Sequence, residues 1–425
     1  MKSFFKKIIS LILEIEARVI LRKYRPFIIG ITGSVGKTST KDAIYTVLSN
    51  TSWHVRKSQK SFNSEIGVPL TILGCENGWS NPFLWIKNIL QGLELIFLKS
   101  KYPDCLVLEI GADRPGDIRN IAKWLKLDIA VMTKISAVPV HVEFFPSSAH
   151  ILEEKSHLIR ALKKDGILIL YYDDQTVLSL SKGINQKILT YGINPSAVVN
   201  ASNHSIIYEE RNGLKIPLGM TFKLNYEGNS VPITIYGGLG IQQIYPLLAG
   251  ASVGISRQII LTNIINSFAK HIFPPGRMNI IKGINDSTII DDTYNSSPDA
   301  LRQALVVLGE IKTIGRKIAI LGDMLELGKF SVVEHIKAGD MARQTCSIII
   351  TVGQRMKKMG ENIISFNTAY EASEYARGVV GKGDVVLIKG SQSIRMERVV
   401  KDLMAEPEKA KELLTRQEPE WLAKK

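Results

Sequence analysis

The chain has 425 residues, 45% of them hydrophobic, and a formal net charge of +14. That length supports two or three domains with cores of their own. The basic excess suits nucleic acid, a membrane surface or anionic substrates, and the lack of a nucleic-acid motif or of interleaved aromatic and basic residues argues against the first.

The N-terminal stretch "MKSFFKKIISLILEIEARVILRKYRP" carries an apolar run, Ile8 to Leu13, too short to span a bilayer. Glu14 and Glu16 follow at once and no small-residue cleavage site is evident, which argues against a signal peptide. Phe4, Ile8, Leu11, Ile12, Ile15, Val19 and Leu21 predict an amphipathic helix over residues 1–25, flanked by Lys6, Lys7, Arg22 and Lys23. Two readings stand: a helix packed on the body, or one lying on a membrane surface. The stretch "NPFLWIKNILQGLELIFLKSK" is open to the same two.

Next comes "FIIGIT", a β-branched run expected to be a buried strand, then "GSVGKTS", then "TSTKDAIYTVL" with Ala43, Ile44, Val47 and Leu48 at helical spacing. Strand, glycine loop and helix in that order form a phosphate-binding loop. Bare N–H groups and a helix N-terminus face the anion, Lys37 adds a point charge, and the Thr38 hydroxyl can reach Mg²⁺. The ordinary spacing GxxxxGK[ST] would need glycine where Ile31 stands, so this is a shorter form, GxxGKT.

Beyond the loop, "CLVLEIGA", "DIAVMTKI" and "GILILYYDD" are strand candidates between helical segments. This is the grammar of an α/β fold with a mostly parallel sheet. Residues 185–236 read as an antiparallel β appendage, and "IQQIYPLLAGASVGIS" returns to helix. "FPPGRMN" is a break and a candidate hinge. After it, "STIIDDTYN", "KIAILGDM", "SIIITVG" and "DVVLIKGS" predict a second, Rossmann-like α/β domain. The expected division is a central P-loop domain over 26–273 and a C-terminal domain over 274–425, ending in a charged, solvated helical tail. Cys75, Cys105 and Cys346 are too far apart for a metal pattern and suit a reducing compartment.

Ligands in open α/β sheets sit at the carboxyl ends of strands. Glu109 ends one such strand and could share Mg²⁺ with Thr38. His141 follows the next, though a lone histidine is usually just satisfied within a fold. Lys155 reads as a surface lysine on a helix. Asp291 and Asp292 end "STIIDD", Asp299 follows a proline at a helix start, Lys389 precedes a glycine turn, and Arg277 sits at the hinge where domain closure would bring it to a phosphate.

"GITGSVGKTST", "SFNSEIGVPLTIL", "LVLEIGADRPGDI", "EEKSHLI", "GRMN", "IIDDTYNSSPDA", "AILGDMLELG" with His335, and "IKGSQSIRME" occur in order across some 370 residues. Together they closely resemble the Mur ligases, whose phosphate loop has the same short form. The resemblance implies an ATP-dependent ligase that activates an acceptor carboxylate as an acyl phosphate and joins it to an amine. The acceptor would be a muramoyl peptide of cell-wall precursor synthesis, the amine D-alanyl-D-alanine or a similar one, and the compartment the cytoplasm. It implies that Gly33, Ser34, Val35, Gly36, Lys37, Thr38 and Ser39 hold the nucleotide phosphates. Thr38 and Glu109 would bind one Mg²⁺ and His141 a second. Lys155 would be carbamylated and support that second ion. Arg277 would reach ATP from the hinge, Asp292 and Asn295 would contact the nucleotide, and Asn63, Glu65, Lys389 and Ser391 would face the substrates.

The chain departs from the family pattern in three places. About 26 residues precede the first strand, too few for the domain that holds a UDP-sugar in this branch of the family. Gln242 and Gln243 stand where the family has a His-Asn pair, leaving Gln243 to contact adenine. Lys134 replaces an asparagine, and two residues are inserted before His141. The acceptor therefore stays open: a lipid-linked acceptor at a membrane, or the carboxylate of a folate or polyglutamate chain, competes with the soluble muramoyl peptide. So does a different class altogether, an ATP-binding subunit without catalysis of its own.

Overall fold

The computed structural model describes residues 2–59, 62–79, 81–135, 145, 147–361 and 363–423. Helix α1, Lys2–Tyr24, precedes strand β1, Phe27–Thr32, and helix α2, Lys37–Ser49. There follow β2 (Val55–Lys57), α3 (Gly67–Leu73), α4 (Pro82–Phe97), β3 (Cys105–Glu109), α5 (Asp117–Ala122), β4 (Leu127–Met132), α6 (Ser148–Arg160) and β5 (Leu162–Tyr171). β6 (Lys187–Gly192), β7 (Val199–Arg211), β8 (Leu214–Tyr226) and β9 (Asn229–Tyr236) complete one nine-stranded sheet in the order β2-β3-β1-β4-β5-β6-β7-β8-β9.

β1, β3 and β4 are buried almost throughout, without alternation; α2 and α6 pack against β1, and α2 and α3 against β3. β9 instead alternates buried and exposed residues, as a half-solvated antiparallel strand must. The expected β appendage is part of the main sheet. β6 pairs parallel with β5, and β7 joins β6 through two parallel pairs, Tyr191↔Val199 and Gly192↔Asn200. Only from β7 onward is pairing antiparallel. Strand patterning reports burial on each face and does not report direction.

The second sheet has the order β10-β11-β15-β12-β13-β14, from β10 (Asn279–Lys282), β11 (Thr288–Asp292), β12 (Lys317–Gly322), β13 (Ile348–Val352), β14 (Ile364–Phe366) and β15 (Val385–Lys389). Only β10 runs antiparallel. The carboxyl ends of β1 and β3 in one sheet, and the loops after β11, β12 and β15 in the other, face a common cleft.

α2 starts at Gly36, whose φ of 87° places it in the left-handed region that glycine occupies without strain. Its Ala43, Ile44, Val47 and Leu48 are buried as their spacing predicts. They pack on the helix Ile241–Ser256, where Gly250 and Gly254 let the two backbones approach. A Cβ at Gly250 would lie 3.1 Å from the Ala43 carbonyl carbon.

α1 packs against α3 and α4, with Leu13, Ala17 and Ile20 fully buried. Tyr24 stacks on Tyr102 with ring centroids 4.5 Å apart. The Lys23 ammonium donates to the carbonyls of Leu95, Ile96 and Leu98 at 2.9, 3.0 and 2.6 Å, so a cation caps the C-terminus of α4. Among the described residues no helix is long and apolar enough to cross a membrane.

The C-terminal tail is not solvated as its charge suggested. Ala410, Leu414 and Arg416 are buried. The Arg416 guanidinium donates to the Thr293 carbonyl at 3.2 Å, to Glu397 Oε2 at 3.1 Å and to the Tyr294 carbonyl. One buried arginine therefore ties the tail to the loop after β11.

Candidate nucleotide site

A cleft of about 850 Å³ lies between the two sheets. One wall is the loop Gly33 to Thr38 with Asn63, Glu109 and Lys155; the other is Tyr294 to Ser297 with Ser391 to Ser393, Arg395 and Trp421; Arg277 of the linker lies between them.

The loop's shape follows from its glycines. A Cβ on Gly33 would sit 1.9 Å from Thr133 Oγ1, so no side chain fits there. The N–H groups of Ser34 and Val35 donate to the Lys134 carbonyl at 2.8 and 3.2 Å. That carbonyl, at the departure from the family pattern, sets the loop's position over β4.

Three basic side chains converge here. Lys37 Nζ and Lys155 Nζ both donate to the Gly33 carbonyl, at 3.0 and 2.9 Å. Arg277 lies across the cleft with its guanidinium 4.1 Å from the centroid of the Tyr294 ring. Desolvation lowers the Lys37 pKa, Glu109 opposes it, and Arg277 lowers it further. Lys155, expected at the surface, is buried, and desolvation and then the neighbouring Lys37 push its amine down to about 7. The helical pattern of "EEKSHLI" showed its face of α6 but not that β1 and the loop lie against it. Its neighbour Glu154 accepts from the N–H groups of Gly116, Ile118 and Arg119 at 2.9, 2.7 and 3.0 Å. Capping α5 in this way fixes α6 and hence Lys155.

The Thr38 hydroxyl donates to Glu109 Oε2 at 3.0 Å, and the Asn63 amide reaches Glu109 Oε1 at 3.4 Å. Lys41, buried behind them, lies 3.6 Å from Glu109 Oε2. A hydroxyl beside a carboxylate, at the head of a phosphate loop, is a hard-oxygen donor set that fits Mg²⁺. Among the described residues, several buried polar atoms around the cleft find no partner: Ser34 Oγ, Arg277 Nε, Ser296 Oγ and, behind the loop, Thr133 Oγ1. Buried polar groups are normally hydrogen-bonded, so this grouping marks where a polar ligand completes the network.

Other expected site residues fall elsewhere. His141 lies outside the described residues. Ser39 is buried in α2, beyond the cleft wall. Gln243, expected at adenine, is buried and donates to the Arg277 carbonyl, so it positions the linker and does not line the cleft. Asn295 lines the cleft, whereas Asp292 sits behind it and accepts from Lys389 Nζ at 2.6 Å. Lys389, expected to face substrate, is buried there and also holds the Asn295 carbonyl at 2.9 Å. Ser391 lines the cleft, and its hydroxyl accepts from the Leu325 N–H at 2.9 Å. Glu65 is exposed and outside the cleft wall. Asp291 turns away, accepting from the N–H and hydroxyl of Thr293, and burial pushes its carboxyl up to about 7.

Sequence reasoning missed Tyr294, Arg395 and Trp421. The Arg395 guanidinium lies 5.5 Å over the Trp421 ring and donates to the Trp421 carbonyl at 2.8 Å, which brings the end of the chain into the cleft. Nothing local in "EPEWLAKK" signals this.

The buried Lys389–Asp292 pair makes a stability prediction. Lys389→Met leaves a buried carboxylate unpaired and is expected to cost about 3–5 kcal/mol. Urea unfolding should show it, and an unchanged midpoint would contradict the buried pairing.

The architecture is that of a P-loop α/β protein whose phosphate loop opens on a cleft walled on its other side by a second α/β sheet. Residues 31–84 and 86–253 match the family profile of the Mur ligase middle domain, and residues 276–392 that of the Mur ligase glutamate ligase domain. The chain belongs to the Mur ligase family and is an ATP-dependent ligase that forms amide bonds. It is 27% identical over 402 residues to the UDP-N-acetylmuramoyl-tripeptide–D-alanyl-D-alanine ligase of Bacillus subtilis (strain 168), covering 92% of this chain and 79% of that one. The crystal structure of MurF ligase from Thermotoga maritima in complex with ADP superposes with a TM-score of 0.77 at 26% identity, covering 94% of this chain and 84% of that one. Mycobacterium tuberculosis folylpolyglutamate synthase complexed with ADP shares the fold, with a TM-score of 0.66 at 15% identity and 93% of each chain covered.

Proposed function

We propose that this ligase joins D-alanyl-D-alanine, or a closely similar amine, to the terminal carboxylate of a muramoyl peptide, in the cytoplasm and in peripheral contact with the inner face of the membrane. The observation that carries the reading is the meeting of Lys37 and Lys155 on one loop carbonyl, with Arg277 of the linker lining the same cleft. A carboxylate is a poor electrophile, and two anions must meet before the γ-phosphate can pass to it. Lys37 and Arg277 screen that approach and stabilise the charge that develops on transfer.

In this mechanism the loop N–H groups and Lys37 hold the β- and γ-phosphates of ATP. Arg277 approaches from the linker. Its position is set by the Gln243 bond to its carbonyl and by Gly276, whose carbonyl accepts from the Tyr294 N–H at 3.1 Å. Domain closure would then exclude water from the acyl phosphate. Lys134 Nζ, 3.6 Å from Asp299 Oδ2, bridges the two domains in that arrangement. The amine, bound on the side of Ser391 and Asn295, attacks the acyl carbon, and phosphate leaves. Thr38 and Glu109 would hold a Mg²⁺ ion, which supplies charge neutralisation at the phosphates when bound. A second ion would be held by Lys155 as its carbamate together with His141, and would add to the charge neutralisation at the phosphates. Support for the carbamate is the buried Lys155 amine itself, since CO₂ adds only to a neutral amine.

Incubation with ATP and a matrix of acceptors and amines, read by phosphate release and mass spectrometry, tests the reading. Phosphate release is expected only with a muramoyl peptide and D-alanyl-D-alanine present together, giving one amide per ADP. Release with a folate or polyglutamate acceptor instead would overturn the acceptor assignment. No release with any pair would favour a non-catalytic ATP-binding subunit.

A further inference from the structure

α1 and α4 are apolar on two sides. α1 buries Leu13, Ala17 and Ile20 against the body, yet Ile8, Leu11, Ile15 and Val19 are exposed at intervals of three and four residues along its outer side. α4 buries little more than Asn88 and Gly92, and Phe83, Ile86, Leu90, Leu93 and Phe97 form a second exposed stripe. Phe83 and Phe97 are 80% and 79% exposed. A surface helix ordinarily turns polar residues to solvent, so each outer stripe needs a partner.

The two helices are fastened into one unit. They pack side by side, and the Glu16 carboxylate lies so close to Gly92 that a Cβ there would be 2.2 Å from Oε2. Lys23 caps the last carbonyls of α4. The exposed stripes therefore belong to a fixed surface rather than to a loose terminus.

The flanks are basic. Lys7, Arg22, Lys87, Lys99 and Lys101 are exposed on or next to these helices, against Glu94 on the outer side of α4. Trp79, 63% exposed, stands in the loop that leads into α4. Apolar side chains bordered by lysine and arginine, with an exposed indole at the edge, match the interfacial zone of a bilayer that carries anionic lipid. A second copy of the chain would bring the same positive rim against itself, which disfavours self-association through this surface.

We propose that α1 and α4 form a docking surface for an anionic lipid bilayer, on which both helices lie in the plane of the interface. The inference deepens the localisation part of the proposed function and rests on it only for the leaflet that is met. The surface adjoins the catalytic cleft: Ser10 Oγ of α1 reaches the Glu65 carbonyl at 3.5 Å, two residues from Asn63 beside Glu109. Docking would hold the cleft near the membrane and favour an acceptor presented there.

Flotation of the full chain with phosphatidylcholine vesicles, with and without phosphatidylglycerol, tests this. The wild type is expected to float with the anionic vesicles and to be released by salt. The double variant L90E/F97E, and separately Ile15→Glu, are expected to bind at least about tenfold more weakly. All of these positions are exposed, so thermal melts should match the wild type. Failure of the wild type to float, or equal flotation by the variants, overturns the proposal. So would dimers, seen by light scattering, that the same substitutions dissociate without any flotation. Phosphate release with soluble substrates, read on the same samples, separates loss of docking from failure of the ligase assignment.

Discussion

Lys37→Ala is expected to lower kcat by at least about 10²–10³-fold, as removal of a preorganised charge from a developing anion does elsewhere. Lys37 sits at the first position of α2 with its ammonium 3.0 Å from the Gly33 carbonyl, inside a loop whose shape the glycines determine. Among the described residues its ammonium has the Gly33 carbonyl as its hydrogen-bond partner. The Thr38–Glu109 bond and the Lys155–Gly33 bond both remain in its absence, and a desolvated charge is removed, so the melting temperature should hold or rise. ATP binding should weaken less than kcat, because backbone N–H groups still grip the phosphates. Steady-state phosphate release beside a thermal melt measures both. Unchanged turnover would contradict the assignment of this loop to ATP. The variant has a second consequence, since Lys37 is one of the charges that lowers the pKa of Lys155. Without it the Lys155 amine should titrate higher and be less available to CO₂.

Lys155→Ala is expected to inactivate the enzyme to a similar degree, with partial recovery in a short carboxylic acid that takes the place of the proposed carbamate. The sign of the pH dependence follows from burial. The amine, pushed down to about 7 from an ordinary lysine value of 10.5, is mostly neutral above that pH and mostly charged below it. In CO₂-depleted buffer activity should fall, and added bicarbonate should restore it more fully above pH 7 than below. Between about 7 and 10.5 the unfolded chain holds a proton that the folded chain lacks, so stability gains from Lys155 as pH rises through that window. Below it the buried charge opposes folding. Full activity of Lys155→Ala without additives would return this residue to a structural role.

The phosphate loop, the α/β character of both sheets, the break before Arg277 and the family are legible in the residue order alone. These are local or ordered signals: a glycine spacing, a run of β-branched residues, a set of motifs in fixed succession. Helix spacing in "TSTKDAIYTVL" placed Ala43, Ile44, Val47 and Leu48 in the core correctly, because amphipathic periodicity records which side of a helix meets the body.

Features that depend on neighbours distant along the chain become legible once it is folded. Lys155 reads as a surface lysine until β1 and its loop are seen to cover it. Lys389 and Asp292 read as site residues until each is found to be the other's partner behind the cleft wall. Trp421 and Arg416 belong to a charged tail that looks solvated, yet two arginines anchor it through the carbonyls of Thr293, Tyr294 and Trp421 itself. α1 shows the difference most directly. Its sequence allows either packing on the body or contact with another surface. The fold supplies a body contact for Leu13, Ala17 and Ile20 and leaves Leu11 and Ile15 turned outward. Burial is a property of the assembled surface, and a periodic pattern on one helix cannot say what will stand opposite it.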